Sequence, residues 1–500
     1  MALLLALDQG TTSTRAIIFD EHGAIRGLAA RALTQHFPAP GWVEHDADEI
    51  HEAAVAVMRE ACASCAVAAG DLTAIGITNQ RETVVLWERA SGRVIGRAIV
   101  WQDRRTAERC AVLRAAGHED AVQQATGLVL DPYFSATKLE WLIDHHGVRG
   151  PAERGELLAG TIDAFLLWRL SGGRSHRTDA TNASRTLLYD LTCQRWDPRL
   201  LALFRIPACL LPEVCDSGAL HGETMVLGGA VPIAALVGDQ QSAAIGQGCL
   251  QPGMAKATFG TGCFLMVHGG STVPRSRNRL LSTVATREDG VPSYALEGSI
   301  FNAGSVIEWL CGLHLLSDPA ASGTLAAQAD PEHGVIMVPA FTGLGAPHWD
   351  PQARGAILGL SRASSAADIV QAALTALACQ VCDLFSAMRA DGVDVRSLRV
   401  DGGMAGNDQL LQLLSDLSGI PVERPTMVES TALGAALLAG STMGVFPSLA
   451  DTTRLWRLQR RFTPGLPAAT RARRLAEWSR AVATVRGFAA TEVGATPRLG

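Results

Sequence analysis

The strongest constraint on the fold is a pattern that occurs twice: an apolar strand, a turn of glycine and hydroxyl residues, and a second apolar strand. It first occurs at residues 3–20, with the turn at Gln9 to Thr14, and recurs at residues 254–267, with the turn Gly260-Thr261-Gly262. Each copy predicts a β-hairpin. One such hairpin alone is common and indicates no function. The repeat predicts two similar domains that present their turns to a shared cleft.

The length of the chain also requires more than one domain. It has 500 residues, and single cores rarely serve chains much longer than about 250 residues. Between the hairpins, helical patterns alternate with short β-branched strands, which indicates α/β layering. We predict an N-terminal domain at 1–247, a C-terminal domain at 248–490 and a flexible tail at 491–500.

Local signals fix several elements within these domains. Asp46 and Glu49 have capping spacing at the start of a helix over residues 46–69. Ser365 caps a helix that runs to a stop at Gly392, and Asn407 caps another that closes near Gly419. Short strands are predicted at residues 74–78 and 398–400, and Thr431 to Gly440 reads as a helix of small residues.

Composition excludes several classes of function. The net charge is −6 and the sequence pI about 6.1, so no basic field is present to bind nucleic acid. The only lysines are Lys138 and Lys256, and neither follows a glycine, which excludes a Gly-Lys-Ser/Thr phosphate loop. No run of eighteen uncharged apolar residues predicts a membrane span. The apolar N-terminus lacks a basic region and predicts a buried strand, so we expect a cytoplasmic protein.

Eleven cysteines are scattered without framework spacing, and two close pairs stand out, Cys62/Cys65 and Cys379/Cys382. Such pairs can form a zinc site or a redox couple. Both lie in alanine-rich helical stretches, where a free cysteine packs as a small apolar residue. The pattern favours buried thiols over metal ligands.

The first turn carries groups suited to phosphate. Gly10 lets backbone N–H groups approach an anion closely. Neighbouring hydroxyl and guanidinium side chains add donors without a lysine. These are Thr11, Thr12, Ser13 and Arg15. Asp8, at the end of the preceding strand, is placed to hold hydrated Mg²⁺.

The second turn is expected to face the first. Donors of Gly260-Thr261-Gly262 would then neutralise a polyphosphate from the opposite side. Further along, Asp401-Gly402-Gly403 ends a strand ahead of a helix, where a nucleotide's sugar or base can lie against bare backbone. Each motif alone is weak, and their order along the chain predicts a nucleotide cleft.

These motifs resemble those of the FGGY carbohydrate kinases and, among them, the glycerol kinases. The resemblance covers residues 3–483, nearly the whole chain. It rests on the segments 8–13, 41–44, 77–83, 131–135, 238–241, 260–264, 339–347 and 401–403. The family shares its fold with actin, hexokinases and the heat-shock chaperone ATPases. The resemblance therefore implies an α/β fold of two actin-like/ribonuclease-H-like domains with a nucleotide cleft between them.

The resemblance also implies the reaction and its substrate pocket. The reaction would be ATP-dependent phosphorylation of glycerol to sn-glycerol 3-phosphate, with direct in-line transfer and no phosphoenzyme. The residues that would hold the hydroxyl groups of glycerol are Arg81, Glu82, Tyr133, Asp239 and Gln240. The apolar walls would be Trp101 and Phe264, for which ordinary core packing is the competing explanation.

The remaining roles follow from the same resemblance. Asp239 would be the general base for the attacking hydroxyl and, with Asp8, would contact Mg²⁺. Thr12 and Thr261 would hold β- and γ-phosphate oxygens from opposite domains. The adenosine end would be lined by Gly304, Glu308, Gly403 and Asn407. Glu308 departs from the family, which usually has glutamine there, and Asp103 is a second departure whose effect is open.

Regulation and assembly are also expectations from the family. Some bacterial relatives bind fructose 1,6-bisphosphate through a glycine-rich loop with an arginine. The matching stretch here, residues 227–232, has no arginine, so we expect weak or absent inhibition. Relatives often form dimers or tetramers, and we expect a homodimer or homotetramer here.

Three alternatives stay open. Another FGGY kinase, acting on a pentulose or similar polyol, would keep Asp8, Asp239 and the second turn without needing Arg81-Glu82 together with Tyr133. An actin-like nucleotide switch would have no need to deprotonate an alcohol. A zinc redox protein would require the two cysteine pairs to meet.

Overall fold

The computed structural model describes residues 2–332 and 334–493, with the backbone alone for residues 489–493. Most of the predicted tail at 491–500 thus lies outside the described residues, and the last helix continues to Val493. Both predicted hairpins are present. A third strand follows the first hairpin after a turn at Gly23.

The strands of the described residues are numbered in chain order. They are β1 (Leu3–Gln9), β2 (Ser13–Asp20), β3 (Ile25–Ala32), β4 (Glu44–His45), β5 (Leu72–Asn79), β6 (Val84–Glu88), β7 (Ala98–Ile99), β8 (Leu157–Thr161), β9 (Arg177–Asp179), β10 (Tyr189–Asp190), β11 (Arg195–Trp196), β12 (Glu213–Cys215), β13 (Gly218–Thr224), β14 (Val231–Gly238), β15 (Met254–Phe259), β16 (Cys263–Gly270), β17 (Leu281–Glu288), β18 (Val291–Ile300), β19 (Ile336–Val338), β20 (Ala356–Leu358), β21 (Ser397–Asp401), β22 (Val422–Pro425) and β23 (Leu458–Phe462).

The α-helices are numbered in the same way. They are α1 (Ala47–Ser64), α2 (Ala107–Ala115), α3 (Glu119–Thr126), α4 (Ser135–His145), α5 (Arg149–Glu153), α6 (Ile162–Leu170), α7 (Ala180–Ala183), α8 (Pro198–Leu203), α9 (Asp239–Gly246), α10 (Gly304–Gly312), α11 (Ser322–Ala326), α12 (Ala366–Ala390), α13 (Asp408–Ser418), α14 (Ser430–Thr442) and α15 (Ala468–Val493).

Two large sheets repeat one arrangement. The first has the strand order β3-β2-β1-β5-β14-β13, and the second has β17-β18-β16-β15-β21-β22-β23. In each, an antiparallel hairpin (β1–β2 or β15–β16) lies beside two parallel strands, β5 and β14 or β21 and β22. The predicted internal duplication is therefore present as topology. A separate four-stranded sheet, β4-β7-β6-β8, carries an additional core within the N-terminal half.

Helices α9 and α14 connect the two halves. They occupy equivalent places after β14 and β22, and they cross closely through glycines. A Cβ added at Gly434 would lie 1.8 Å from the Ser242 carbonyl oxygen, and one added at Gly246 would lie 2.0 Å from that of Ser430. Although α14 belongs to the predicted C-terminal domain, it packs in the core of the first sheet against Leu4.

The helix ends follow the local signals closely. Asp46 caps α1 by accepting from two backbone N–H groups, although the helix ends at Ser64, five residues before the predicted stop. Ser365 and Asp368 form a capping box at α12. Asn407 caps α13, which stops at a left-handed Gly419.

Helix α12 is long and apolar enough to cross a membrane by length and composition alone. About two-thirds (67%) of its most apolar 18-residue stretch is buried in the second core. Such burial is typical of the central helix of a folded domain. The prediction from sequence had identified no such segment.

All eleven cysteines are free, and the two close pairs lie in different cores. Cys62 packs with the first sheet, whereas Cys379 and Cys382 pack with the second. Among the described residues no group of three or more His, Cys, Asp or Glu side chains is arranged to hold a metal. The separation of the pairs contradicts the zinc redox alternative.

Candidate functional site

The site lies at the carboxyl ends of three neighbouring parallel strands of the first sheet. Asp8 on β1 is in register with Thr78 on β5, and Gly238 on β14 is in register with Asn79. Adjacent strands lie about 4.8 Å apart, so the ends of β1 and β14 are about 10 Å apart with β5 between them. Ligands in open α/β sheets bind at such edges. Asp8, Arg81 and Asp239 thus lie at the same edge of the first sheet.

Arg81 follows β5 and is almost fully buried among carboxylates. Its Nε lies 3.2 Å from Oδ1 of Asp239, and its Nη1 and Nη2 donate to Glu297 at 2.6 and 3.1 Å. A Cβ at position 238 would come within 2.7 Å of the Arg81 side chain. Glycine at 238 therefore lets the guanidinium pass beside β14.

Glu82 occupies a strained backbone position next to Arg81. Its φ is +62°, in the left-handed region that non-glycine residues rarely adopt. Oε1 accepts from Nε of Arg185 at 2.6 Å, and the backbone carbonyl accepts from Ser135 at 2.9 Å. Burial raises the pKa of Glu82, against the lowering effect of Arg185 and Arg81.

Three aromatic rings form a wall beside these charges. Trp101 meets Tyr133 edge-on with ring centroids 5.5 Å apart and meets Phe264 at 5.9 Å. Phe264 lies on β16 of the second sheet, so the wall joins both halves of the molecule. Trp101 Nε1 also donates to Thr11 at 2.9 Å, which ties the wall to the first turn.

Asp239 begins helix α9, and its side chain is 27% exposed, so solvent can reach it. Oδ1 accepts from the Gln240 backbone N–H at 2.7 Å as well as facing Arg81. Burial raises the pKa of Asp239, and the cations of Arg81 and Lys256 oppose that rise. A carboxylate with a raised pKa and one free oxygen is suited to accept a proton.

Part of the Gln240 side chain already has a partner within the protein. Its side-chain oxygen accepts from the buried Nζ of Lys256, which also donates to Thr258 at 2.9 Å. The amide nitrogen of Gln240 is therefore the group left for a ligand. Lys256 is on β15, so this contact also spans the two halves.

In the first turn Thr12 is exposed and Thr11 and Ser13 are half-buried, while the Arg15 side chain is engaged by two carboxylates. Gly10 N–H donates to the Ser13 carbonyl at 2.9 Å. Arg15 donates to Asp8 at 2.5 Å and to Glu429 at 2.6 Å. Its guanidinium thus neutralises two carboxylates, and a phosphate would have to compete with both.

The second turn is held by the start of α10. Gly260 N–H donates to the Gly262 carbonyl, while Gly304 N–H donates to the Gly260 carbonyl, both at 2.9 Å. A Cβ at Gly304 would lie 2.6 Å from that same carbonyl oxygen. Gly304 therefore packs directly on the turn that carries Thr261.

The residues predicted for the adenosine end differ in their surroundings. Glu308 is exposed on α10, and no ion pair involves it within the part of the chain that the structure describes. A Cβ added at Gly403 would meet nothing within 4 Å. Asn407 accepts from Leu410 N–H as the α13 cap and donates to Ser322 at 3.0 Å, so both of its polar groups already have partners.

The donor set fits a magnesium ion held mainly by phosphate and water. Asp8 commits one oxygen to Arg15, and Asp239 commits one to Arg81, which leaves each carboxylate with a second oxygen. Mg²⁺ keeps several waters and uses one or two carboxylates together with substrate phosphates. A fuller protein cage is not needed for this binding mode.

Sequence reasoning missed Glu297 and Arg185, which lie directly behind the pocket. Glu297 is the one charged residue in the inner part of β18, between Leu296 and Gly298, and is fully buried. A lone charge in a buried strand requires a partner, which is the signal that the sequence offered. Its partner cannot be read from the sequence, because Arg81 is 216 residues away.

Asp103, whose role was left open, is a structural residue of the loop after β7. It is fully buried, accepts from Val43 N–H at 2.6 Å and pairs with Arg105 at 2.7 Å. The Arg105 guanidinium stacks 3.8 Å over the Trp42 ring. The ion pair fixes the segment that leads from Trp101 to α2.

Comparison with known proteins agrees with this architecture. The models for the N-terminal and C-terminal domains of the FGGY family of carbohydrate kinases match residues 3–246 and 255–443. The chain is 54% identical to glycerol kinase 1 of Pseudomonas aeruginosa, over 97% of this chain and 99% of that protein. It is 53% identical to a glycerol kinase of Rhodospirillum centenum, over 97% and 98%.

A solved structure gives the same result. The crystal structure of Plasmodium falciparum glycerol kinase with ADP superposes with a TM-score of 0.93 at 35% identity, covering 97% of this chain and 98% of that one. The two-domain α/β fold predicted from the sequence is thereby confirmed. The chain belongs to the FGGY family of carbohydrate kinases and, within that family, to the glycerol kinases.

Proposed function

We propose that this protein transfers the γ-phosphoryl group of ATP to glycerol and releases sn-glycerol 3-phosphate and ADP. The observation that carries the proposal is the juxtaposition of Arg81, Glu82 and Asp239 with an aromatic wall at the carboxyl edge of the first sheet. Relatives at 53–54% identity over nearly their whole length are glycerol kinases, which supports the same substrate.

The chemistry of the pocket suits a three-carbon polyol. Glycerol presents a hydroxyl on every carbon, so a small pocket must offer donors and acceptors on one side and an apolar surface on the other. Arg81 donates and Glu82 accepts on the polar side, and the Gln240 amide adds a further donor. Trp101 and Phe264 would contact the carbon chain.

Asp239 would act as the general base. As the terminal oxygen of glycerol attacks the γ-phosphorus, its proton passes to the Asp239 carboxylate. The new O–P bond forms while the bond between the γ-phosphorus and the β,γ-bridging oxygen breaks, and ADP leaves with that electron pair. Transfer is direct, and the protein supplies position and charge neutralisation.

The two turns would hold the polyphosphate from opposite sides. Hydroxyls of Thr11, Thr12 and Ser13 face it from the first sheet, and Thr261 faces it from the second. Asp8 and Asp239 would hold Mg²⁺, which supplies charge neutralisation on the phosphate oxygens when bound. Arg15 would balance Asp8, and Gly304, Glu308, Gly403 and Asn407 would line the nucleoside end.

A homodimer or homotetramer and a cytoplasmic location remain predictions. The expected assembly rests on analogy with relatives.

A substrate panel tests the proposal. Purified protein is supplied with MgATP and with glycerol, D-xylulose, D-ribulose or no acceptor, and ADP release is followed by a coupled assay. We expect turnover with glycerol far above the other reactions, with sn-glycerol 3-phosphate as product. Faster turnover with a ketopentose would assign the protein to another FGGY activity, and acceptor-independent hydrolysis would favour a nucleotide switch.

A further inference from the structure

Glu297 connects the second sheet to the polyol pocket. It lies on β18, and its side chain is fully buried. Oε2 accepts from Nη1 of Arg81 at 2.6 Å. Oε1 accepts from Nη2 of Arg81 at 3.1 Å and from Nη2 of Arg185 at 3.0 Å. One carboxylate of the C-terminal half thus holds two arginines of the N-terminal half.

Each of these arginines leads on to a carboxylate of the pocket. With both Nη atoms of Arg81 held by Glu297, its Nε faces Asp239 at 3.2 Å. Arg185 donates through Nε to Glu82 at 2.6 Å and through Nη2 to Glu297. The chain of contacts therefore runs from one residue of β18 to both the general base and the hydroxyl acceptor.

The four most deeply buried charges behind the pocket balance one another. Arg81, Arg185, Glu82 and Glu297 carry two positive and two negative charges and are each at most 3% exposed. A buried ion that loses its partner keeps its desolvation cost without compensation. Without the charge of Glu297, the two Nη atoms of Arg81 lose their charged acceptor, and only the Gln241 side-chain oxygen, 3.2 Å from Nη1, still opposes a turn of the guanidinium toward Asp239.

We propose that Glu297 is a positioning residue of the polyol pocket, acting through Arg81 on Asp239 and through Arg185 on Glu82. Glu297 belongs to the second sheet. The pocket residues Arg81 and Glu82 therefore keep their positions only while the two halves pack against each other as they do here. The inference rests on the proposed function in that it takes the pocket at Arg81 and Glu82 to be the polyol site.

The test is Glu297→Gln, which keeps the shape of the side chain and removes its charge. Apparent KM for glycerol, apparent KM for ATP, kcat and the melting temperature are measured on the purified full-length protein. We expect the KM for glycerol to rise by about tenfold or more and kcat to fall, because small misplacements of the reacting groups are costly. The KM for ATP should change by no more than about twofold, since Glu297 contacts neither turn.

Glu423→Gln is the matched control. Glu423 lies on β22 of the same sheet, is buried and also binds two arginines, Arg399 and Arg461. It contacts none of the pocket residues. We expect it to lower the melting temperature as Glu297→Gln does and to leave the KM for glycerol near the wild-type value.

Two results would overturn the inference. One is an unchanged KM for glycerol in folded Glu297→Gln; the other is an equal rise in both KM values, which indicates a general structural defect. If Glu297→Gln does not fold, Arg185→Lys decides, because lysine lacks the second nitrogen needed to reach both Glu82 and Glu297. It should raise the KM for glycerol and spare that for ATP.

A wrong assignment of the substrate would give results that differ from those of a wrong assignment of Glu297. If the wild-type protein prefers another polyol, the same variants are assayed with that acceptor, and the split between the two KM values still tests the role of Glu297. If the wild type phosphorylates no polyol, the proposed function itself is wrong.

Discussion

The surroundings of the buried carboxylates shift their pKa values in different directions. Burial raises the pKa of Glu297, but the guanidiniums of Arg185 and Arg81 outweigh it and hold that pKa at about 2. Asp163 has no such cations. Burial, and then the nearby Asp179, raise the pKa of Asp163 to about 6 despite hydrogen bonds from Thr161 and Thr178.

Asp163→Asn is expected to stabilise the protein at neutral pH. A carboxyl whose pKa is raised in the folded state contributes stability below its unfolded pKa, near 4, and loses it as the pH rises through about 6. Removing the charge should raise the free energy of unfolding by about 1–3 kcal/mol at pH 7.5. Urea titrations at pH 7.5 and pH 4 measure this; an equal difference at both pH values would contradict the assigned cause.

Which residues flank the cleft could be predicted from sequence, but their partners could not. Asp8 was identified from a local motif, and Arg81 and Asp239 were identified from the family resemblance; all three lie at one sheet edge. The engagement of Arg15 by Glu429, 414 residues away, depends on the packing of α14. No local sequence pattern indicates a contact between residues so far apart in the chain.

At the level of elements, hairpins and caps were predicted well because their signals are local. The turn at Gly260, the capping box at Ser365 and the stop at Gly419 all lie where the sequence indicated. The packing of α14 on the first sheet was not predicted. Its small residues fit many environments, and only the tertiary structure shows that they allow a close crossing with α9.

Gly434→Ala tests that crossing. The new Cβ would lie 1.8 Å from the Ser242 carbonyl, which is backbone and has to move. We expect the free energy of unfolding to fall by about 1–3 kcal/mol or more, as in overpacked cores. Denaturant unfolding measures the change.

Gly487→Ala, in the exposed part of α15, is the control for helix propensity. A Cβ there meets nothing within 4 Å, so we expect a gain of about 0.5–1 kcal/mol. Equal effects of the two substitutions would show that the crossing is not tightly packed.

For the whole molecule, the second half contributes to both ends of the site. Phe264, Lys256 and Glu297 of the second sheet contact Trp101, Gln240 and Arg81 on the proposed polyol side, and Thr261 is proposed to hold a phosphate. A kinase must exclude water that would otherwise accept the phosphoryl group, and closing of two domains is a common means. The position of the site between the halves is suited to such closing.

Small-angle scattering should detect that motion. We expect the radius of gyration to fall when glycerol and a nonhydrolysable MgATP analogue are added together, because ligands on both sheets draw the halves together. Each ligand alone should cause a smaller change. Superimposable curves with and without both ligands would show that the cleft does not close.

Fructose 1,6-bisphosphate should have little effect on activity. Residues 227–232, which form part of the turn between β13 and β14 and the first two residues of β14, include no arginine or lysine to bind a phosphate. Initial rates are measured across millimolar concentrations, with a relative that has an arginine in this loop as positive control. Strong inhibition of the present protein would mean that other residues form the effector site.

The most direct test of the account is the effect of Asp239→Asn on turnover and on glycerol binding. Asparagine keeps the hydrogen bonds that position the side chain but cannot accept the proton of the attacking hydroxyl. We predict that kcat falls by about 10²–10⁴-fold while the Kd for glycerol, measured by calorimetry, stays within about threefold. A variant with near wild-type kcat would contradict the assignment of Asp239 as the base and with it the proposed geometry of transfer.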